Sequence, residues 1–410
     1  MLMKKMLLLV ATTLLIASCS ENPAVQPKNL NFSAVEQQMV QQCNDFSFNM
    51  LAQVAQKDEK ENIVLSPLSA SMLLGMLMNG ADGQTLAQIQ EVTGFGTEMS
   101  VDAINNYYRQ LIDVLPALDQ YSKISIVNGI WAREDFPVCD TFVLACKQNF
   151  DAPVKNVPTF SSDQVLADIN GFAAQHTNNR IKEIINPNMV TDETVMILLN
   201  ALYFKALWDE KFKKEYTLSQ NFTTLNGTQI QADMMSRSGD VLYGETEDYQ
   251  MIELPYKGDK YCADILLPAK GQGIRIWLSM LNDERWQKML KEMSKAEVNL
   301  SLPKFSLSYE RELSEDLQAL GMTDAFNLSA DFSRLSKKGA YISFFMQKSF
   351  MQVDEEGSEA AAVTATGITV TSMPSLYNFI ADRPFLFVIR EKEYGTILFT
   401  ALIGHPEWKE

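Results

Sequence analysis

Residues that could carry out catalysis are few in this chain of 410 residues. It has two histidines, His176 and His405, and five cysteines. Two histidines exclude a His-rich metal site and leave little room for a Ser-His-Asp or Cys-His mechanism. The cysteines are too few for a disulfide scaffold, and four of them lack metal-ligand spacing. We therefore expect no enzyme, no metal and no cofactor, and we expect free thiols at Cys43, Cys139, Cys146 and Cys262.

One segment carries an unusual set of side chains. Residues 357–372 read GSEAAAVTATGITVTS, without proline and without a side chain larger than Ile or Glu. Composition alone favours a flexible linker, but Thr, Val and Ile also favour extended backbone, so the segment can pair as a strand. Strand periodicity would separate Glu359 from a row of small side chains on the opposite face. That row is Ser358, Ala360, Ala362, Thr364, Thr366 and Ile368.

The N-terminus has the features of an export signal. Lys4 and Lys5 precede an apolar run of eleven residues, 6–16, which suits a signal peptide and is too short to span a bilayer. The residues that follow, IASC at 16–19, resemble a bacterial lipoprotein box with Cys19 as the lipidated residue. An ordinary secretory signal with a chance cysteine is the alternative. We expect a signal peptide at 1–18, a tether at 19–31, secretion across the inner membrane and a lipid anchor in the outer membrane, on its periplasmic or surface side.

Composition and charge describe a large globular domain. Apolar residues make up 46% of the chain, and 35 basic against 51 acidic residues give a net charge of −16. An acidic surface makes nucleic acid an unsuitable partner. Helical spacing predicts helices at 32–56, at 85–92 and at 165–185. A further helix is predicted to begin with Ser66 as its N-cap and Pro67 at its first position, and to stop near Gly80. Apolar or alternating runs predict strands at 124–131, 195–208, 261–267, 298–306, 341–353, 385–391 and 396–404. No linker divides 32–410, so we predict one α+β domain.

Five ordered motifs resemble those of the serpins, a large family of protease inhibitors. They are NIVLSPLS at 62–69, NALYFKALW at 200–208, LPKF at 302–305, DEEGSEAAA at 354–362 and FIADRPF at 379–385. The resemblance covers 32–406. It implies the serpin fold, with three β-sheets, eight to nine helices and an exposed reactive-centre loop.

The resemblance also implies a mechanism. A target serine protease cleaves the exposed loop and forms a covalent acyl complex, and the loop then inserts into the central sheet, sheet A, which inhibits the protease irreversibly. A monomer is expected, with a lipid anchor as its contact with the membrane. The alternative is a non-inhibitory serpin-fold surface lipoprotein with a binding or chaperone-like role.

Site residues follow from the same resemblance. The family has three named groups of residues, the shutter, the breach and the hinge. The shutter of this chain departs from the family at Gln347, where serpins commonly have histidine. The shutter, where sheet A opens, is Ser66, Ser69, Asn200 and Gln347. The breach, where the loop first enters, is Trp208, Lys304 and Glu355, with an ion pair between the last two. The hinge is Glu355, Glu356, Gly357, Ser358, Glu359, Ala360, Ala361 and Ala362.

The family's spacing of about fifteen residues from the hinge glycine puts the reactive bond between Thr371 and Ser372. Val370 and Met373 are the alternative positions, since loop lengths vary. No Lys or Arg occurs between Lys348 and Arg383, so a trypsin-like pocket would lack its cation. Small β-branched residues suit elastase-like or subtilisin-like serine proteases, and a papain-like cysteine protease is a weaker candidate.

Overall fold

The computed structural model describes residues 27–358 and 377–409, and helices lead early while strands dominate later. Within these residues the helices are α1 (Ala34–Lys57), α2 (Pro67–Met78), α3 (Gly83–Val92), α4 (Val101–Val114), α5 (Asp140–Phe150), α6 (Asp163–His176), α7 (Ile274–Ser279), α8 (Asp283–Glu292) and α9 (Ser314–Ala319). The strands are β1 (Asn62–Leu65), β2 (Lys123–Arg133), β3 (Val154–Val157), β4 (Met196–Leu207), β5 (Leu218–Thr223), β6 (Gln229–Glu245), β7 (Tyr249–Pro255), β8 (Tyr261–Pro268), β9 (Ser294–Pro303), β10 (Phe305–Glu312), β11 (Met346–Val353), β12 (Gly357–Ser358), β13 (Tyr377–Ile380), β14 (Phe385–Glu391) and β15 (Ile397–Ile403).

These strands form two hydrogen-bonded sheets in the described residues. The first, which we call sheet A, has the order β10-β11-β12-β4-β2-β3. The second has the order β1-β15-β14-β8-β7-β6-β9-β13, with β5 paired to β6. The expected second and third sheets are continuous because the long strand β6 pairs with β9 and, at its last four residues, also with β7.

Helix α2 joins the two sheets. It packs against β4 of sheet A and β15 of the other sheet, and its side chains are buried on almost every side, as its apolar sequence predicts. Gly75 allows the approach of α4, because a Cβ at this position would lie 2.5 Å from the ring of Tyr108. The helix thereby fixes Ser66 and Ser69 beside the middle of sheet A.

The predicted helix at 165–185 is wrong in its second half. Helix α6 ends at His176, and Asn178 and Asn179 adopt positive φ angles of 52° and 60°. The amide side chain of Asn170 accepts hydrogen bonds from the backbone of the following loop at Ile184 and Ile185. The apolar residues of this loop therefore reach sheet A from an irregular segment rather than from a helix.

Two predicted strands also need correction. The run at 298–306 is divided at Lys304, whose N–H donates to Asp233, and its halves belong to different sheets, β9 and β10. The run at 341–353 becomes a strand only at Met346. The N–H of Ile342 donates to the Ala325 carbonyl and the N–H of Phe345 to the Glu312 side chain, so these N–H groups are not part of a strand ladder.

Ordered packing begins within the predicted tether. The N–H of Lys28 donates to the carbonyl of Ala117 at 2.8 Å, and Leu30 is buried. Among the residues that the structure describes, no helix is both long enough and apolar enough to cross a membrane.

Candidate functional site

The hinge enters sheet A at Gly357 and Ser358. This two-residue strand, β12, pairs with Val353 of β11 on one side and with Ala206 and Leu207 of β4 on the other. A turn stabilised by the Asp354 carboxylate leads into it, because that carboxylate accepts from the N–H groups of Glu356 and Gly357 at 2.8 and 3.2 Å. Glycine is required at 357, since a Cβ would lie 2.1 Å from the Ala206 carbonyl oxygen.

Ser358 points into the protein. It is 3% exposed, and its hydroxyl lies 2.5 Å from the hydroxyl of Tyr256. The ring of Tyr256 stacks on Trp208 with centroids 4.6 Å apart and planes 7° from parallel. Tyr256 was not predicted from the sequence, because it follows β7 a hundred residues upstream and no local pattern connects it with the hinge.

The three breach residues surround the turn before Gly357. The indole N–H of Trp208 donates to the Asp354 carbonyl at 2.9 Å. Glu355 accepts from the Thr217 hydroxyl at 2.7 Å and lies 3.8 Å from the Lys304 ammonium. Its side chain is only 7% exposed, so this is a largely buried ion pair rather than a surface one.

Two further contacts at the breach have no signal in the sequence. Thr217 lies outside the predicted elements, and Lys211 forms an ion pair with Glu356. The ammonium of Lys304 also lies 4.5 Å from the ring centroid of Trp408, near the C-terminus. The turn is thus held by side chains from two separate parts of the chain, residues 208–217 and Lys304.

The four shutter residues lie close together and form two hydrogen-bonded pairs. The side chain of Gln347 accepts from the N–H of Ser66 at 3.1 Å and donates to its carbonyl at 2.8 Å. The hydroxyl of Ser69 donates to the amide oxygen of Asn200. All four line one cavity of about 50 Å³ between α2, β4 and β11.

Ser66 lies at the predicted N-cap position of α2, but its side chain does not cap the helix. Its hydroxyl donates instead to the Leu398 carbonyl of β15 at 3.2 Å. Asn128 extends the second pair, because its amide oxygen accepts from Asn200 at 2.7 Å. The cluster therefore connects both sheets rather than only terminating a helix.

The two strands that flank the hinge run parallel to each other and are separated beyond it. Among the described residues, the edge of β4 that faces the hinge is paired only at Ala206 and Leu207, and the facing edge of β11 only at Val353. Two cavities of about 20 and 50 Å³ lie between the strands, and a third of about 230 Å³ lies between the start of β4 and the segment before Met346. An antiparallel strand in this space could bond to both neighbours.

Several predicted site residues lie outside the described residues. They are the hinge residues Glu359, Ala360, Ala361 and Ala362, the reactive-bond residues Val370, Thr371, Ser372 and Met373, and the lipid-attachment residue Cys19.

A group with metal-ligand chemistry lies elsewhere. Glu253, Cys262 and Asp264 are buried with their ligand atoms within 4.8 Å of one another. Burial raises the pKa of Asp264 to about 6, although the neighbouring guanidinium of Arg390 opposes this change. Arg390 donates to Asp264 at 2.6 Å and also pairs with Glu253. Two side-chain cations therefore pair with this cluster, Arg390 and, through Glu253 at 2.9 Å, Lys392. The four cysteines in the described part of the chain are free.

Comparison with known proteins identifies the family. A model described as "Serpin (serine protease inhibitor)" matches residues 41–406. The chain belongs to the serpin family, as its motifs predicted. Neuroserpin from Gallus gallus is 32% identical over 373 residues, which is 88% of this chain and 90% of neuroserpin.

Solved serpin structures share the fold. The native state of tengpin, a thermophilic serpin, matches with a TM-score of 0.83 and 30% identity, over 93% of this chain and 97% of tengpin. Thyroxine-binding globulin in complex with thyroxine matches with a TM-score of 0.80 and 26% identity, over 90% and 100%. Serpins are generally protease inhibitors rather than catalysts.

Proposed function

We propose that this protein is an irreversible suicide inhibitor of elastase-like or subtilisin-like serine proteases. The protease attacks the bond between Thr371 and Ser372 and becomes acylated, and the cleaved loop inserts between β4 and β11. The observation that carries the proposal is the separated pair of parallel strands, with the hinge already docked at one end and cavities along the remainder.

Physical chemistry supports insertion into this space. The loop consists of small and β-branched residues without proline, so it can adopt extended backbone and donate along its length. Roughly ten to fifteen new backbone hydrogen bonds at about 0.5–1.5 kcal/mol each would release on the order of 10 kcal/mol. A strand of about fifteen residues at roughly 3.3 Å per residue would move its end about 50 Å. The acylated protease is carried with it, and distortion before deacylation makes the inhibition irreversible.

The specificity follows from the loop composition. The absence of basic residues between Lys348 and Arg383 argues against trypsin-like targets. Val370 and Thr371 fit a shallow apolar pocket, and a papain-like protease remains a weaker candidate.

The test is incubation with pancreatic elastase and, separately, with subtilisin. We expect an SDS-stable covalent band and a released C-terminal peptide that starts at Ser372. A peptide that starts at Thr371 or Met373 would move the bond by one residue within the same mechanism. Loop cleavage should also raise the thermal midpoint, because the inserted form is the more stable one. Quantitative cleavage without a covalent band or a stability gain would contradict the proposal.

A second candidate function has one observation in its favour. The structural similarity to thyroxine-binding globulin, solved with thyroxine, extends over 90% of this chain, so a protein that binds a small molecule has the same fold. The hinge distinguishes the two, because bulky or charged inward residues would prevent insertion, whereas Ser358 is small and docked.

A further inference from the structure

The hydroxyl pair of Ser358 and Tyr256 is a buried side-chain contact between the hinge and the rest of the protein. Ser358 is paired to strands on both sides, and the distance between the two hydroxyl oxygens is 2.5 Å. Either hydroxyl can donate to the other. The contact exists in the uncleaved chain, before any protease has acted.

Tyr256 is positioned independently of the loop. Its ring stacks on Trp208, and its edge contacts Phe204 with centroids 5.2 Å apart. Its N–H donates to the Tyr261 carbonyl at 3.0 Å. The position of its hydroxyl is therefore set by residues outside the hinge, and the hinge has to come to it.

Burial makes this contact matter energetically. Tyr256 is completely buried, and burial raises the pKa of its hydroxyl, which stays protonated. A buried hydroxyl without a partner is unfavourable, whereas removal of both partners can be almost neutral. If the hinge left sheet A, Ser358 would regain water while the Tyr256 hydroxyl would lose this bond inside the protein.

We propose that Tyr256 is a positioning residue for loop insertion: its hydroxyl keeps Ser358 docked between β4 and β11 before cleavage. The inference rests on the proposed inhibitory function and goes beyond it by naming the residue that sets the starting point. The first residues of the inserting strand are then already paired with β4 and β11. Insertion only has to extend this pairing along the two strands.

Docking of the hinge would influence what fraction of the acylated protease is trapped and what fraction is released in active form. After cleavage, insertion competes with hydrolysis of the acyl-enzyme, and slower insertion releases more active protease. Loss of the hydroxyl bond should leave the hinge docked in a smaller fraction of molecules. We expect more molecules of this protein to be consumed for each elastase molecule inhibited, by roughly threefold or more.

The test is a double-mutant cycle of Tyr256→Phe, Ser358→Ala and the double variant, with pancreatic elastase as the probe. Each single change leaves one buried hydroxyl without its partner, so both should raise the number of molecules consumed per protease. The double variant should return towards the parent, because both hydroxyls are gone. Tyr261→Phe is the matched control, since its buried hydroxyl donates to the Leu115 carbonyl at 2.6 Å, away from the hinge. It should leave this ratio unchanged.

A second measurement separates this inference from the inhibitory function. Amide hydrogen exchange of the peptide that contains Gly357 and Ser358, in the uncleaved protein, should accelerate by about fivefold or more in Tyr256→Phe and not in Tyr261→Phe. Two results would overturn the role of Tyr256. One is unchanged hydrogen exchange of this peptide in Tyr256→Phe. The other is a double variant in which the effects of the two single changes on the number of molecules consumed per protease simply add. If exchange responds as expected while the parent forms no covalent complex, docking stands and the inhibitory function fails.

Discussion

Ser358 is the residue at which a change of side chain should have the largest effect on mechanism. It is 3% exposed and faces Tyr256. Ser358→Arg would bring a charge into a buried site without a partner, which opposes docking and insertion. We expect the variant to be cleaved at the parent's rate without a covalent complex, so that it becomes a substrate. The measurement is an SDS gel together with residual protease activity.

Ser308→Arg provides the comparison for that experiment. Ser308 lies on β10, in the same sheet, and is exposed, so its replacement adds the same charge without burying it. This variant should inhibit like the parent. If Ser358→Arg also inhibits like the parent, loop insertion is not the mechanism.

Thr371 should determine which protease is inhibited. Thr371→Arg would supply the cation that a trypsin-like pocket pairs with, and a site built around a polar partner discriminates by roughly four orders of magnitude. A change within an apolar pocket alters rates by only about ten- to a hundredfold. We therefore expect a large gain against trypsin and a modest loss against elastase, measured as second-order inhibition rates. Ser372→Arg, one residue further, should give no comparable gain if the bond is correctly assigned.

At the scale of elements, the contact between β11 and α2 is made by Gln347. Its amide both accepts from and donates to the backbone of Ser66. A neutral histidine could make the same two bonds, but its protonated form has no acceptor for the Ser66 N–H. In Gln347→His the folded-state pKa of the histidine should therefore lie below its unfolded value of about 6.5.

The lowered pKa of that histidine has a defined consequence for stability. A base whose pKa is lower in the folded than in the unfolded protein reduces stability as the pH falls through the unfolded pKa. The free energy of unfolding decreases by about 1.4 kcal/mol for each pH unit that separates the two pKa values. The thermal midpoint of Gln347→His should therefore drop more than that of the parent between pH 7.5 and pH 5.5. Gln318→His, at an exposed position of α9, should follow the parent. An equal drop in both variants would contradict a special role for position 347.

The elements also show where sequence patterns are informative. Apolar runs located β2, β4, β8, β14 and β15 within about two residues, since buried strands must be apolar whatever their neighbours are. The same pattern failed at Lys304, because a turn between two sheets does not interrupt an apolar run. Helical spacing failed after His176. Ile181, Ile184 and Ile185 have that spacing and are buried, but they lie in a loop.

The site could be predicted where one motif contains it and not where distant segments meet. The motifs located Trp208, Lys304, Glu355 and Ser358, and these residues lie together. Tyr256, Thr217 and Asn128 complete the contacts, but each is a single polar residue in an otherwise ordinary segment. Their role depends on tertiary packing, which periodicity and local motifs do not encode.

At the scale of the whole molecule, the N-terminal segment is the basis of our proposal for the location of the protein in the cell. We propose that Cys19 is lipidated and that the protein is anchored in the outer membrane. The choice of the outer rather than the inner membrane rests on resemblance to bacterial sorting rules, because Ser20 and not aspartate follows the cysteine. Packing against the domain begins at Lys28. The nine Cα-to-Cα steps from Cys19 to Lys28 span at most about 30 Å, so the domain would be held close to the bilayer.

This arrangement predicts that one cysteine has an effect that the others lack. Cys19→Ala should transfer the protein from the membrane fraction to the soluble fraction, because the acyl chains supply the stable anchoring. Cys139→Ala removes a half-buried free thiol inside the domain and should leave the protein in the membrane fraction. Fractionation of cells that process lipoproteins, followed by immunoblotting, distinguishes the two. A Cys19→Ala protein that stays with the membranes would exclude the lipid anchor, and a parent protein that is already soluble would indicate an ordinary secretory signal.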